Sequence, residues 1–293
     1  MENLKEQMDK EGYVVIPNIF SSEEIDDIAL RVESSAKKNI EAGLANDDSK
    51  AIEYVKNSKK ENFVVIREFL SRPELEDYDW LILNERIVKI FQALIKKPFC
   101  YFGESSAHIG TGKRGFHKDN ISRDSANHDD WKSNYDVFRL ALYTQDTKSY
   151  SGGLQIRKKS HLVSSKWIGR PINIRLKKGD IVVWKLTLTH SGNTLLPRFF
   201  PNFPYLLPRL TSMMPHWFFR PYEKSRVALF MTFGASNSKH TNNYIEYIKN
   251  GRDDWHPFNP TLNNKKIAAK RKVDIVEQTT KFGKTIEFLF LFY

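Results

Sequence analysis

Between residues 99 and 233 the sequence breaks into short β-rich runs, at 99–109, 137–143, 153–157, 172–176, 181–186 and 226–233. Turn-forming residues separate them, notably Ser151-Gly152-Gly153 and Lys178-Gly179-Asp180. Several short strands at this spacing predict an antiparallel sandwich or barrel rather than a parallel sheet. Residues 195–225 interrupt the series with prolines and aromatics, among them Pro197, Phe199, Phe200, Pro215, Trp217 and Phe218. A long insertion with no evident element of its own, inside a compact domain, is more often a lid or binding loop than filler.

The region before residue 98 has a different texture. Gly12-Tyr13-Val14-Val15-Ile16-Pro17 reads as a short strand closed by proline. Ser21-Ser22-Glu23-Glu24 forms a capping box, and Ile25, Ile28, Ala29, Val32 and Ala36 then recur on one helical face. Ile87, Val88, Phe91 and Leu94 predict a second helix over 84–96. The first hundred residues are therefore expected to be mostly helical, with few strands. Beyond the strand series, helices are expected over 242–249 and 265–273. The last stretch, 285–293, is apolar and aromatic but too short to cross a bilayer. The organisation predicted is a helical layer at 1–98 integral to the fold, a β core at 99–235 carrying the insertion, and a helical extension with a tail at 236–293.

Composition limits the function classes. With 40% hydrophobic and 28% charged residues, the chain is neither a disordered polyelectrolyte nor a membrane bundle. It has no apolar run long enough for a transmembrane segment, and its first residues lack a secretory pattern. The single cysteine, Cys100, excludes an internal disulfide, so a cytoplasmic protein is expected. Lysine and arginine number 46 against 35 acids, a formal charge of +11, which favours anionic partners. No zinc-finger spacing, aromatic RNA-binding motif or basic zipper accompanies that charge, so no nucleic-acid partner is expected.

The residues that point to chemistry are few. Gly115-Phe116-His117-Lys118-Asp119 contains a His-x-Asp pair, and Thr189-His190-Ser191 supplies a second histidine. Two histidines and one carboxylate can occupy one face of a six-coordinate iron, leaving positions open for substrate and oxygen. In a strand, residues i and i+2 share a side, so His117 and Asp119 could point together into a barrel, with His190 at the end of a later strand. The pair alone is weak evidence. With 8 histidines and 17 aspartates one such pair is nearly expected by chance, and His128-Asp129-Asp130 is a second. The first follows a strand-like run and a glycine, whereas the second lies in a polar, loop-like stretch, and this setting favours the first.

At this point the sequence resembles a known family. Residues 12–25 resemble the opening of the phytanoyl-CoA dioxygenase family of iron(II)/2-oxoglutarate oxygenases. Four further pieces follow in that family's order: Gly115 to Asp119; Gln145-Asp146-Thr147 leading to Ser151-Gly152-Gly153-Leu154 and Ser160-His161; Lys178-Gly179-Asp180 leading to His190-Ser191-Gly192-Asn193; and Arg226 to Phe230. Together they span about residues 10–235.

The resemblance implies a mainly β fold with helices, a double-stranded β-helix (jelly-roll, cupin-like) core with N-terminal helices. It implies that His117, Asp119 and His190 ligate Fe(II) and that Arg226 pairs with the distal carboxylate of 2-oxoglutarate. Ser191 and Asn193 are candidates to touch that cosubstrate. It further implies a dioxygenase that consumes molecular oxygen, hydroxylates a small organic substrate and releases succinate and CO2. Asp119 speaks against halogenation, where the carboxylate ligand is usually absent. The chain departs from the pattern in the long separation of Arg226 from His190, which makes Arg198 a rival. His161 is expected to matter for the fold more than for ligation, and Trp184 and Trp217 for packing. Arg198, Arg209 and Arg220 in the insertion suit an anionic substrate. The alternatives are a non-redox jelly-roll module binding a metal or carbohydrate, and a basic nucleic-acid or acidic-surface binder in which the three residues are incidental.

Overall fold

The computed structural model describes residues 3–46, 51–56, 62–71, 74–110, 115–123, 125–131, 134–200, 213–222, 226–251 and 260–276. In chain order the strands are β1 (Tyr13–Ile16), β2 (Ile52–Lys56), β3 (Asn62–Arg67), β4 (Phe99–Ile109), β5 (Val137–Tyr143) and β6 (Gly153–Arg157). They continue with β7 (Pro171–Asn173), β8 (Ile181–Lys185), β9 (His190–Thr194), β10 (Val227–Ala235) and β11 (Val273–Ile275). The helices before β4 are α1 (Leu4–Glu11), α2 (Ser22–Glu41), α3 (Trp80–Leu83) and α4 (Glu85–Ile95).

Two sheets form. The larger runs β1-β8-β5-β10-β4-β3-β2 with every neighbouring pair antiparallel, and β11 adds to β4 in parallel. The smaller runs β7-β6-β9. The two-residue period of the strands decides what lies between them. On β8, Ile181 and Val183 face one side while Val182 and Trp184 face the other; on β10, Val227, Leu229 and Met231 oppose Ala228 and Phe230. The first set packs with Ile25, Ile28 and Val32 of α2 and with Ile87 and Phe91 of α4. The second set meets Leu154 and Ile156 of β6 in the space between the sheets. The result is the jelly roll expected, with helices backing its larger sheet.

The helical layer forms for the reasons the sequence supplied. Glu24 N–H donates to Ser21 Oγ (3.2 Å) and Ser21 N–H donates to Glu24 Oε2 (2.8 Å), so the capping box is closed both ways. The five residues predicted for the inner face of α2 are all buried. On α4, Phe91 stacks on Phe233 at 4.2 Å between centroids and is fully buried, a placement that stabilises by about 1.5–3 kcal/mol.

The first hundred residues, whose regular structure is mainly helical with few strands as expected, include the β2–β3 hairpin, which extends the larger sheet through β4. Its cue was the alternation of Ile52 and Tyr54 with Glu53 and the apolar run Phe63 to Ile66. Two expectations are corrected. His190 does not end β8: Leu188 N–H bonds back to the Lys185 carbonyl (2.8 Å), and the histidine opens β9. The basic helix near the C-terminus is Leu262–Arg271, capped by Thr261, and Val273 already belongs to β11. The helix foreseen over 242–249 lies within Lys239–Gly251. Residues 285–293, Arg209 and the middle of the insertion lie outside the described residues.

Candidate metal centre

His117 does not sit in a regular strand. Its segment makes one isolated antiparallel bridge to the start of β9, in which His117 N–H donates to the His190 carbonyl (3.0 Å) and His190 N–H to the His117 carbonyl (2.9 Å). Two residues on, Asp119 N–H donates to the Leu186 carbonyl (3.0 Å). These bonds hold the extended segment against the β8–β9 turn, and its i, i+2 geometry sends His117 and Asp119 to one side. One potential ligand atom each from His117, Asp119 and His190 lies within 4.8 Å of the others.

Backbone carbonyls fix both imidazoles. His117 Nδ1 lies 2.9 Å from the Gly115 carbonyl, and His190 Nδ1 lies 3.0 Å from the Leu188 carbonyl. A carbonyl only accepts, so each Nδ1 carries a proton, which leaves Nε2 as the ring nitrogen able to offer a lone pair. Both Nε2 atoms are 3.5 Å from a different oxygen of Asp119. Burial, reinforced by His117 and Arg139 and opposed by Asp119, pushes the His190 pKa down to about 3, so the ring is a neutral donor.

An outer layer holds the carboxylate. Arg139 Nη2, on β5, lies 3.7 Å from Asp119 Oδ2 and 3.3 Å from Glu104 Oε1. Glu104 Oε2 accepts from Thr232 Oγ1 (2.7 Å) and from the hydroxyl of Tyr244 (3.0 Å). Lys118, between the two candidate ligands, turns away from them; its Nζ donates to the carbonyls of Ser160 and Thr187, each at 2.6 Å. Burial pushes its pKa down to about 7. Sequence reasoning missed Arg139, Glu104 and Lys118. The alternating register of β5 could have found Arg139, two residues before Ala141 on the inner face.

Arg226 precedes Ala228 by two residues and so faces the same interior. It is buried, with Nε and Nη2 donating to the Gly152 carbonyl (3.0 and 2.8 Å) and Nη1 to the Gly110 carbonyl. No carboxylate of the described residues pairs with it. Gly152 makes room for the guanidinium: its φ is +106° and a Cβ there would lie 2.7 Å from Arg226 Nε. Aromatic rings run between the histidine and the arginine. Trp184 is 5.2 Å from His190 and 6.3 Å from Phe230, which is 6.3 Å from Tyr143. Phe230 is only half-buried although central in β10, and Trp184 Nε1, Gln145 Oε1 and Thr194 Oγ1 are buried without partners among the described residues.

The other described candidates lie outside the cluster of His117, Asp119 and His190. Ser191 alternates to the face opposite His190, and its Oγ donates to the Gly192 carbonyl (3.2 Å). The Asn193 side chain lies outside the described residues. Arg198 is exposed. His128 and Asp130 brace their own loop, where Asn120 Nδ2 (2.9 Å) and Ser122 Oγ donate to the buried Asp130 carboxylate. His108 packs 4.8 Å from Phe230 and 5.7 Å from Phe63. His161 points away from the centre, with Nε2 3.0 Å from the Asp9 carbonyl, and has the structural place expected of it.

Comparison with proteins of known structure gives folds of the same kind at low identity. The carbocyclase SnoK from nogalamycin biosynthesis, described as non-heme and α-ketoglutarate dependent, is 15% identical, with a TM-score of 0.53 over 80% of this chain and 84% of its own. HygX from Streptomyces hygroscopicus, solved with nickel, 2-oxoglutarate and hygromycin B, is 11% identical, with a TM-score of 0.52 over 82% of this chain and 89% of its own. EctD from S. alaskensis, solved with iron, is 14% identical, with a TM-score of 0.53 over 79% and 75%. Comparison with curated protein sequences gives no match. Residues 8–195, which include His117, Asp119 and His190, match the sequence profile described as phytanoyl-CoA dioxygenase (PhyH). By that match, which covers well over half its length, the chain belongs to the phytanoyl-CoA dioxygenase family.

Proposed function

We propose that this protein is an iron(II)- and 2-oxoglutarate-dependent dioxygenase in which His117, Asp119 and His190 hold the ferrous ion. Arg226 takes the distal carboxylate of 2-oxoglutarate, and the enzyme hydroxylates a small organic substrate. The observation that carries the reading is the convergence of two fixed Nε2 lone pairs and one carboxylate on a single side. Such a set suits non-haem Fe(II) with positions left open.

The residues fit both groups. The neutral His190 imidazole, a second imidazole whose Nδ1 is held by a carbonyl, and a carboxylate suit a divalent ion. A buried guanidinium that meets only carbonyl oxygens is costly unless an anion joins it, and its planar fork suits a carboxylate. Unpartnered polar atoms on Trp184, Gln145 and Thr194 are further indications of a polar guest. The metal with its cosubstrate supplies oxygen activation coupled to decarboxylation, with succinate and CO2 as coproducts. The chain's own part is to orient the ligands through the Gly115 and Leu188 carbonyls, to hold Asp119 through Arg139, and to line a dry interior with Trp184 and Tyr143.

Anaerobic titration of the apo-protein with Fe(II) and 2-oxoglutarate, following the weak visible band of the chelate, tests this directly. The band should form in wild type and in His128→Ala, vanish in His117→Ala, and need more cosubstrate in Arg226→Ala but not in Arg198→Ala. No band in wild type would sink the oxygenase reading.

A further inference from the structure

Beside His117 opens a cavity of about 440 Å³ lined by Phe116, Arg123, Ser164, Ser165, Lys166 and Trp167, with Lys118 behind them. None of these residues is acidic. Lys118 is tied to two carbonyls, so Lys166 and Arg123 are the cations that face solvent here. Lys166 has no carboxylate partner among the described residues; its Nζ lies 5.5 Å from the Trp167 ring centroid.

The wall that carries Lys166 is fixed. Arg157 of β6 donates from Nη1 to the carbonyls of Trp167 and Gly169, both at 3.0 Å, and its guanidinium stacks 4.8 Å from the centroid of Phe116. Gly169, at φ +96°, packs so closely that a Cβ would fall 2.2 Å from the Lys158 carbonyl oxygen. Trp167 is nevertheless 68% exposed. A large aromatic ring exposed beside a cation, on a main chain held in place, offers a stacking surface.

We propose that this cavity is the subsite for an organic anion, a substrate that joins a carboxylate or phosphate to a flat apolar body. Lys166, with the Ser164 and Ser165 hydroxyls, takes the anion, and the face of Trp167 takes the body. That the molecule then extends toward the His117 side of the metal centre rests on the oxygenase reading; the anion site itself does not. In the insertion, where composition alone located cations for such a substrate, Arg220 is a poorer host. It spends Nη1 on the carbonyls of Lys148 (2.9 Å) and Ser149 (3.4 Å).

The test uses 1-naphthyl phosphate and 1-naphthoate as probes, with 1-naphthol as the neutral control, titrated into the full chain and followed by probe fluorescence. At least one anion should bind more tightly than 1-naphthol, and the stronger of the two identifies phosphate or carboxylate. Lys166→Glu should weaken that anion roughly tenfold or more and leave 1-naphthol within about twofold, while Trp167→Ala weakens both. Binding of the anion should also fall as salt rises. Anions that bind no better than 1-naphthol, or that ignore Lys166→Glu, would overturn the proposal. 2-Oxoglutarate binding, measured on the same variants, should be unchanged. Its absence in wild type would count against the oxygenase reading while leaving the anion site standing on the naphthyl titrations.

Discussion

His117 and His190 are joined through their main chains before their side chains meet anything: the two reciprocal hydrogen bonds, 3.0 and 2.9 Å, set the imidazoles 4.3 Å apart between centroids. Side-chain removal leaves those bonds in place. His117→Ala should therefore fold with a near-native circular dichroism spectrum and melting temperature. Calorimetric affinity for Mn(II) or Co(II) should fall more than about a hundredfold, beyond the loss typical of an outer-shell partner. His128→Ala should bind as wild type. Equal losses in the two variants would remove the distinction drawn between the two His-x-Asp pairs.

Arg139 bridges Glu104 and Asp119 with only 12% of its side chain exposed. Arg139→Leu removes this cation from the nearly buried Glu104, and urea unfolding should show a loss of about 3 kcal/mol. Adding Glu104→Gln should recover part of that stability but not the metal affinity, because Asp119 still lacks its support. Full recovery of both would make Arg139 a partner of Glu104 alone.

At Gly152 an alanine would meet both an unfavourable φ and the Arg226 guanidinium. Gly152→Ala should weaken 2-oxoglutarate binding about tenfold or more, with Mn(II) affinity within about twofold of wild type, since the histidines lie outside its reach. A parallel loss of metal would show that the two ends of the interior are not separable in this way.

Glu68 offers a test of pH dependence away from the centre. Burial, with a smaller contribution from Glu104, raises its pKa from 4.5 to about 8 against the hydrogen bonds from Ser105 and Tyr101. Below pH 4.5 both folded and unfolded chains hold the proton. Between 4.5 and about 8 the unfolded chain releases it first, so stability falls as pH rises, by an amount on the order of a few kcal/mol, and then levels. Urea midpoints at pH 5 and pH 8.5 should differ in wild type and differ much less in Glu68→Gln, which keeps the side chain's shape. Identical differences in the two proteins would assign the pH effect to other groups.

Strand alternation and the capping box made most of the jelly roll legible, because they are local and depend on neighbours in sequence. The β2–β3 hairpin was harder, since its edge position mixes Glu53 and Lys56 with the apolar residues. β11 is three residues long and owes its strand state to β4, a partner far away in the chain. The histidine and aspartate positions followed from spacing and resemblance, but the outer layer did not. Arg139, Glu104 and Tyr244 come together from β5, a bulged part of β4 and a late helix, and no sequence interval encodes that meeting. The separation between His190 and Arg226 put Arg198 forward as a rival; their placement distinguishes them, Arg226 buried against the Gly152 carbonyl and Arg198 exposed.

The described ends of the insertion are zipped together. Arg220 N–H bonds to the Leu196 carbonyl (2.8 Å), Arg198 N–H to the Phe218 carbonyl (2.8 Å), and Ser151 Oγ donates to the Arg220 carbonyl (2.7 Å) and accepts from Leu196 N–H (3.0 Å). The chain therefore leaves and re-enters the jelly roll through one narrow stem. Loop-closure entropy grows only slowly with length, so changing the number of residues between Phe200 and Met213 is expected to cost little, while the stem keeps the exit after β9 and the entry to β10 where they are.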